Sequence, residues 1–553
     1  MKHEKRGMPV KNGFKDFVSQ YVSDTFKLSP TNATALGFPG YDDLLESFSL
    51  DARKEAQRVS SHYSRELNRI SKKDLSFQDL IDYSLIQVEL AYHQIFYEET
   101  KSWEKDPAFY PELILSAAYY LIARDHLSKE KRAVSLLSRM KQSLRLLDEA
   151  KENLKRPSLY FSKDSFDVIQ GGIQFFTQFN PEKWGISKKL LGELEQAKKA
   201  LLQKLTEYEK WVKNTLIPRS NGGFSAGRAV YEKILKKYHL LPYDADDLDE
   251  IGRGNFSRVK AEIKRLAQKI DPHKGWQEIL LQNSKHHPTR EGLVSAYRDS
   301  VDKVRAFLLE KKLVGFPKRD FMEVIETPLF YQPFLPFAGY SVTPPFQKTG
   351  NGEFWVTPVP SGLSKKEEEA RLKEHAYHKI PVIALHETYP GHHLQFSFLR
   401  EIPSSLVKRS GSSVSCEGWA FYCEEMMKEE GYYESPLIEL SQKRDELWRI
   451  ARVILDVGLH VKKMKPEKAV SFLAAQVGFP EAMAWGEIKR YMRDPAQPIS
   501  YFIGKHEILK LREKYRRKAK EKFKLKDFHD AFLQTGVVPI RLAEKCLLDS
   551  SER

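Results

Sequence analysis

Three cysteines in 553 residues, at positions 416, 423 and 546, are too few to frame a disulfide scaffold, and they fit a reducing compartment. No stretch approaches the ~18 consecutive apolar residues that span a bilayer, so no membrane partner is expected. The segment from Met1 to Phe17 is basic and polar without an apolar core, unlike a secretory signal, and the expected location is cytoplasmic. Glycine is also sparse, at 29 residues, and with 30% charged residues this favours helix. Disorder is excluded by 41% hydrophobic and 12% aromatic residues, enough to bury one or more substantial cores.

The formal charge is +15, with its densest basic patch from Lys505 to Lys526. Such a patch raises a nucleic-acid hypothesis. The 75 acidic residues mix the charge along the chain, as on a solvated helix face, and no nucleic-acid partner is expected.

From about residue 12 to 320 the chain has the texture of consecutive amphipathic helices. Ile81, Leu85, Val88, Tyr92 and Ile95 recur at helical spacing, as do Leu194, Leu201, Leu205, Tyr208 and Val212, and both stripes are expected in the core. No fixed-period repeat suggests a solenoid. Between Glu326 and Pro360 seven prolines exclude a long helix, and Glu353 to Thr357 has β character, so a loop with one or two short strands is expected. A free strand edge beside a functional site would suit an extended peptide. Helical texture returns from about Lys366. The expected division is a disordered tail at 1–12, a helical part at 13–320 and a site-bearing part at 321–548.

The most informative segment is His386-Glu387-Thr388-Tyr389-Pro390-Gly391-His392-His393. Zinc hydrolases place two imidazoles at i and i+4 of one helix, with a glutamate beside the first as the base that deprotonates water. Here Pro390 occupies i+4, while His392 lies at i+6 and His393 at i+7. In an unbroken helix His393 would stand ~10 Å along the axis from His386, too far to share an ion. Pro390-Gly391 must bend the backbone, and a bend can return His392 to the face of His386. His392 is the preferred second ligand and His393 its competitor. Glu417, 25 residues after His392, is the candidate third ligand, and Glu424 is a supporting residue behind the ligands or a surface acid. A thiolate pair at Cys416 and Cys423 has no common zinc spacing, so buried free cysteines are expected there. Arg449, Arg452, Asp456 and His460 form a polar stripe on an apolar helix. That stripe either lines a cleft, supports the imidazoles, or forms a buried ion-pair network.

With Ile383 to Leu385 before it and Leu394-Gln395 after it, this segment resembles the signature of the bacterial domain-of-unknown-function family 885, whose members resemble zinc peptidases of the His-Glu-x-x-His group. Glu417 to Tyr422 is similar to the family's second block, and Arg449 to His460 to its third. Further likeness covers Glu487 to Tyr491, Tyr501 with Gly504, Leu511-Arg512, and Asp527 to Asp530 with Gly536 and Pro539. Two departures stand out: Pro495-Ala496-Gln497 where the family usually has Pro-Gly-Gln, and Lys348 to Gly352 in place of a fuller Gly-rich loop. The resemblance implies a mainly α fold, a single large helical catalytic unit around a deep cleft, with a short β segment near 320–360. It also favours His392 over His393 as ligand.

The expected function is zinc-dependent hydrolysis of amide bonds in short peptides, of carboxypeptidase, dipeptidase or oligopeptidase type. One zinc ion is held by His386, His392 and Glu417, and Glu387 is the general base. Tyr501 and His529 are the candidate oxyanion donors, Tyr501 preferred because helical zinc dipeptidases carry a tyrosine in a similar late segment. Lys505 or Arg512 is the candidate cation for a terminal carboxylate. The rival classes are an inactive helical scaffold and a basic nucleic-acid binder.

Overall fold

Many helices of this chain start at a serine or aspartate whose side chain accepts an N–H of the first turn. Ser49, Ser128 and Ser187 accept from Ala52, Lys131 and Leu190, while Ser76, Asp244 and Ser364 complete capping boxes with Asp79, Asp247 and Glu367. Each such cap contributes about 1 kcal/mol. In this computed structural model the described residues are 10–549, except 125, 319, 329–331, 333–334, 336 and 348–349. The first helix begins at Val10, and the expected tail lies, over residues 1–9, outside the described residues. The fold is mainly α, with one small sheet. No described helix is long and apolar enough to cross a membrane.

The chain divides into two compact units. The first holds residues 1–224 together with 403–410. Its helix Lys188–Trp211 buries Leu194, Leu201, Leu205 and Tyr208, as the stripe predicts. In Phe77–Gln94 the stripe is core at Ile81, Leu85 and Val88, but Tyr92 remains 48% exposed and stacks on Phe96. A π turn at Ile95–Thr100 follows directly, and Ile95 at its start is again buried, so Tyr92 sits at the rim of the stripe.

The second unit holds residues 225–402 and 411–553. Its sheet has strands β1 (Met322–Glu326), β2 (Ala338–Ser341) and β3 (Gly352–Val356), in the order β1-β3-β2. β2 and β3 are the two short strands expected between residues 326 and 360, and β1 comes just before that segment. The central β3 pairs parallel with β1 and antiparallel with β2, and it buries Phe354, Trp355 and Val356. The free edge nearest the site belongs to β2, not to the β-prone segment itself.

Five helices of this unit build the site: α1 (Ile380–Glu387), α2 (His392–Glu401), α3 (Ser413–Glu429), α4 (Pro436–His460) and α5 (Ser500–Ala519). α3 and α5 cross with their backbones in contact. A Cβ on Gly504 would lie 2.1 Å from the Val414 carbonyl oxygen, and one on Gly418 would lie 2.5 Å from the Gly504 Cα. Glycine at both positions lets the helix bearing Glu417 meet the helix bearing Tyr501.

Candidate metal centre

α1 stops at Glu387 because the next residues cannot continue it. Thr388 leaves helical geometry, the Tyr389–Pro390 bond is cis, and Gly391 (φ −71°, ψ −129°) leads into α2. The break is tied back onto α1: Gly391 N–H donates to the Leu385 carbonyl at 3.1 Å, and Leu394 N–H donates to the Thr388 carbonyl at 3.3 Å. A Cβ on residue 391 would sit 1.9 Å from the His386 carbonyl oxygen, so this approach admits only glycine. The Trp419 indole on α3 donates to the Pro390 carbonyl at 2.8 Å and fixes the bend from outside.

The bend brings the imidazoles of His386 and His392 together at right angles, with centroids 4.9 Å apart. Glu417 Oε2 lies 3.8 Å from His386 Nε2 and 3.5 Å from His392 Nε2, and one ligand atom from each of the three falls within 4.8 Å of the others. Zinc bonds of ~2.0–2.2 Å place neighbouring ligand atoms of a tetrahedron ~3.3–3.6 Å apart, so these donors fit one ion. Behind them, His386 Nδ1 donates to Glu424 Oε1 at 2.9 Å, and Gln442 donates to the other oxygen of Glu424 at 3.4 Å. Glu424 is fully buried, so it stands behind His386 and not on the surface.

Burial acts against charge on all three residues, yet the electrostatic pairing prevails. Although burial opposes it, the adjacent His386 and His392 imidazoles hold the Glu417 carboxyl well below the usual carboxylate range. Both imidazoles are raised against burial, His386 by Glu417 and Glu424, His392 by Cys416 and Glu417. A part-buried carboxylate facing two imidazoles is also a donor set that a divalent ion accepts.

His393 is turned away. Its Nε2 lies 2.9 Å from Asp320 Oδ1 and its Nδ1 3.0 Å from the Tyr340 hydroxyl. The structure therefore brings His392, not His393, to Glu417. Cys416 and Cys423 are free thiols, but Cys416 is not mere core filling: its Sγ lies 3.5 Å from His392 Nδ1.

A cavity of about 500 Å³ opens on this cluster, lined among others by Tyr340, Glu387, Trp448, Arg449, Arg452 and Tyr501. Its size suits a small ligand. Glu387 Oε2 accepts the Tyr340 backbone N–H at 3.0 Å, so β2 orients the candidate base. Tyr501 stacks along the His386 ring at 6.5 Å, and burial, with Glu417 nearby, raises its pKa and keeps the phenol protonated.

Two expectations need correction, and a third, left open between alternatives, divides between them. His529 does not line the cavity: its Nε2 meets the Tyr422 hydroxyl at 2.8 Å, its Nδ1 meets the Leu313 carbonyl at 2.7 Å, and burial lowers its pKa to about 4. Lys505 and Arg512 do not line it either. Lys505 is buried against Glu446 (2.5 Å) and Glu425 (3.3 Å), and Arg512 forks onto Glu429 at 2.7 and 3.1 Å. The polar stripe on α4 splits in two. Arg449 and Arg452 line the cavity, whereas Asp456 accepts from the Tyr231 hydroxyl at 2.6 Å and His460 Nε2 meets the Tyr491 carbonyl at 2.9 Å, both in the core. The basic run also pairs internally, as Lys514 with Glu544, Arg517 with Glu513, and Lys526 with Asp530.

Two contributors left little trace in the sequence. Tyr340 acts on Glu387 through its backbone, which any residue supplies. Asp320, which also accepts from the Tyr389 hydroxyl at 2.8 Å, holds His393 from a loop far upstream. Of the two departures from the family pattern, Ala496 adopts φ +65°, a left-handed conformation that suits the family's glycine. Residues 348–349 of the other lie outside the described residues.

A family model described as "Bacterial protein of unknown function (DUF885)" matches residues 30–547, and the chain belongs to that family. Two solved structures are similar along nearly their whole length. A candidate lipoprotein of unknown function from Shewanella oneidensis shares 25% identity, with 97% of this chain and 99% of that one covered, at a TM-score of 0.81. A candidate lipoprotein from Colwellia psychrerythraea shares 19% identity, with 98% and 99% covered, at a TM-score of 0.82. A comparison with curated proteins found no match.

Proposed function

We propose that this chain is a zinc-dependent hydrolase that cleaves amide bonds of short peptides or peptide-like substrates. The observation that carries the reading is the convergence of His386, His392 and Glu417 donor atoms within 4.8 Å, beside Glu387 in a ligand-sized cavity. The resemblance of the octapeptide to His-Glu-x-x-His zinc peptidases points the same way.

Zinc, when bound by His386, His392 and Glu417, supplies Lewis-acid activation of a water and of the scissile carbonyl. The protein groups do the rest. Glu387, oriented by the Tyr340 N–H, takes the proton of the attacking water and delivers it to the leaving amine nitrogen. The Tyr501 hydroxyl donates to the carbonyl oxygen as negative charge develops there. Because the Tyr340 N–H points to Glu387 and not into the sheet, this stretch of β2 presents backbone to the cavity, where an extended peptide can pair.

Metal analysis of the purified protein, with mass spectrometry of a mixed peptide pool after incubation, tests the reading. The expected result is one zinc per chain, lost in His386→Ala, and peptide cleavage that disappears in Glu387→Gln while the zinc stays. Protein without stoichiometric zinc, or cleavage unchanged in Glu387→Gln, overturns it.

A further inference from the structure

Arg449 and Arg452 enter the cavity one turn apart on α4. The Arg452 guanidinium is held between two rings, 4.2 Å from the centroid of Trp448 and 4.3 Å from that of Tyr501, and Arg449 lies 4.5 Å over Trp448. Arg452 is 4% exposed. Its Nε donates to the Tyr491 hydroxyl at 3.1 Å and its Nη2 to Glu487 at 3.3 Å, but its buried Nη1 has no hydrogen-bond partner among the described residues. Arg449 donates from Nη1 to the Asp445 carbonyl at 3.4 Å and pairs with the Asp445 carboxylate at 3.5 Å, while its buried Nε likewise has no partner.

These two nitrogens are closed to solvent, so the unmet donor capacity and positive charge of the pair are open to an acceptor only through the parts of the guanidiniums that line the cavity. The local carboxylates do not fill that role. Asp445 is shared with Arg444 at 2.8 Å and Glu487 with Arg490 at 3.0 Å, so the two acids are divided among four guanidiniums. Guanidinium forks match carboxylates in shape and charge. Tyr501 separates this pair from the candidate metal ligands, 6.5 Å from the His386 ring on one side and 4.3 Å from Arg452 on the other. In series these separations are no longer than about three extended residues, at ~3.3–3.6 Å each.

We infer that Arg449 and Arg452 form a carboxylate-binding subsite, so that the substrate presents a carboxylate one or two residues beyond the bond cleaved. The bond cleavage rests on the hydrolase reading above; the subsite does not. The carboxylate is that of a peptide C-terminus or of an acidic side chain next to the cleaved bond. A C-terminal carboxylate makes the enzyme one that trims short peptides from their C-terminal end.

Calorimetric titration of the Glu387→Gln protein with three probes tests the subsite: N-acetyl-trialanine, its C-terminal amide, and the same amide with aspartate as the last residue. The free acid is expected to bind at least about tenfold more tightly than its amide. Arg449→Gln and Arg452→Gln should each bring acid and amide to within about twofold, in proteins whose thermal melts remain cooperative. Arg449→Gln alone carries the test if the more buried Arg452 proves necessary for folding. An aspartyl amide that binds like the acid assigns the carboxylate to a side chain; one that binds like the plain amide assigns it to the C-terminus. Equal binding of all three probes, binding of none, or a preference that survives both substitutions overturns the subsite. So does a preference that vanishes when zinc is removed by a chelator, since the carboxylate then sat on the metal. Acid preference without cleavage of the peptide pool by the wild-type protein sinks the hydrolase reading alone, and cleavage without acid preference sinks the subsite alone.

Discussion

Glu424 Oε1 lies 2.9 Å from His386 Nδ1, and this one contact decides which imidazole nitrogen faces Glu417. With Nδ1 of His386 donating to Glu424, it is Nε2 that faces the cluster, and a metal ion bound there takes the place of the proton that Nε2 otherwise carries. Carboxylates placed this way behind ligating histidines typically strengthen metal binding 10–100-fold. Glu424→Gln should therefore weaken zinc binding by about 10–100-fold, measured by competition with a chromophoric chelator. Unchanged affinity would reduce Glu424 to a packing residue.

Tyr501 should act on rate more than on binding. Tyr501→Phe removes the hydroxyl and keeps the ring stacked between His386 and Arg452, so kcat on the best-cleaved peptide is expected to fall by about 10²-fold with KM nearly constant. A loss confined to KM or to thermal stability would mean that the phenol only packs.

The α3–α5 crossing leaves no room for a methyl group. Gly504→Ala forces a Cβ to within 2.1 Å of the Val414 carbonyl oxygen unless the helices separate. Its expected cost is roughly 1–3 kcal/mol, visible in denaturant melts, with weaker zinc binding as Glu417 shifts. Gly391→Ala should act more locally and lose zinc, because the clash at 1.9 Å falls on the carbonyl of His386 itself.

Ala496 offers the opposite experiment. Its φ of +65° is unfavourable for any residue with a Cβ. Ala496→Gly should stabilise the protein by roughly 0.5–1 kcal/mol, the relief exceeding the added freedom of the unfolded chain. A denaturant midpoint that does not rise would count against left-handed strain at this position.

Acid should unfold the second unit through its histidines. His239, His375, His378, His460 and His529 are buried, and burial lowers each pKa to about 4 from the ordinary 6.5. Below pH 6.5 the unfolded chain binds protons that the folded chain refuses, so stability is fully present above that pH and is lost as pH falls toward 4. Each such group removes up to about 1.4 kcal/mol per pH unit in that window. Urea titrations at pH 7.5, 6.0 and 5.0 should show a steepening decline, and His529→Gln, which keeps two polar ring-sized contacts, should blunt it.

The fold was legible where local chemistry decides it. Leucine spacing located the helix Lys188–Trp211, and serine and aspartate caps mark where many helices begin. Of the site, the forced bend at Pro390-Gly391 made His392 a candidate partner of His386 beside His393, the family resemblance favoured His392, and Glu417 was suggested only by its place 25 residues on. What the sequence concealed depended on long-range partners. His529 satisfies both ring nitrogens in the core, a fate that its neighbours in the chain do not announce. Lys505 and Arg512 are consumed by Glu446 and Glu429, which come from other helices. Tyr92 fits the stripe and is still exposed, because a stripe two helical steps wide has a rim that faces solvent even where Val88 and Ile95 on either side are buried.

The clamp at Gly391 has a bearing on how distant relatives can be found. A pattern scan that requires two histidines four residues apart passes over this chain without a hit. The constraint that survives is steric: a residue lacking a side chain must follow the break, because its α carbon lies against the carbonyl of the first histidine. Stated for this chain, the constraint is a helix interruption that ends in glycine directly before a histidine, with Glu-Gly on a later helix.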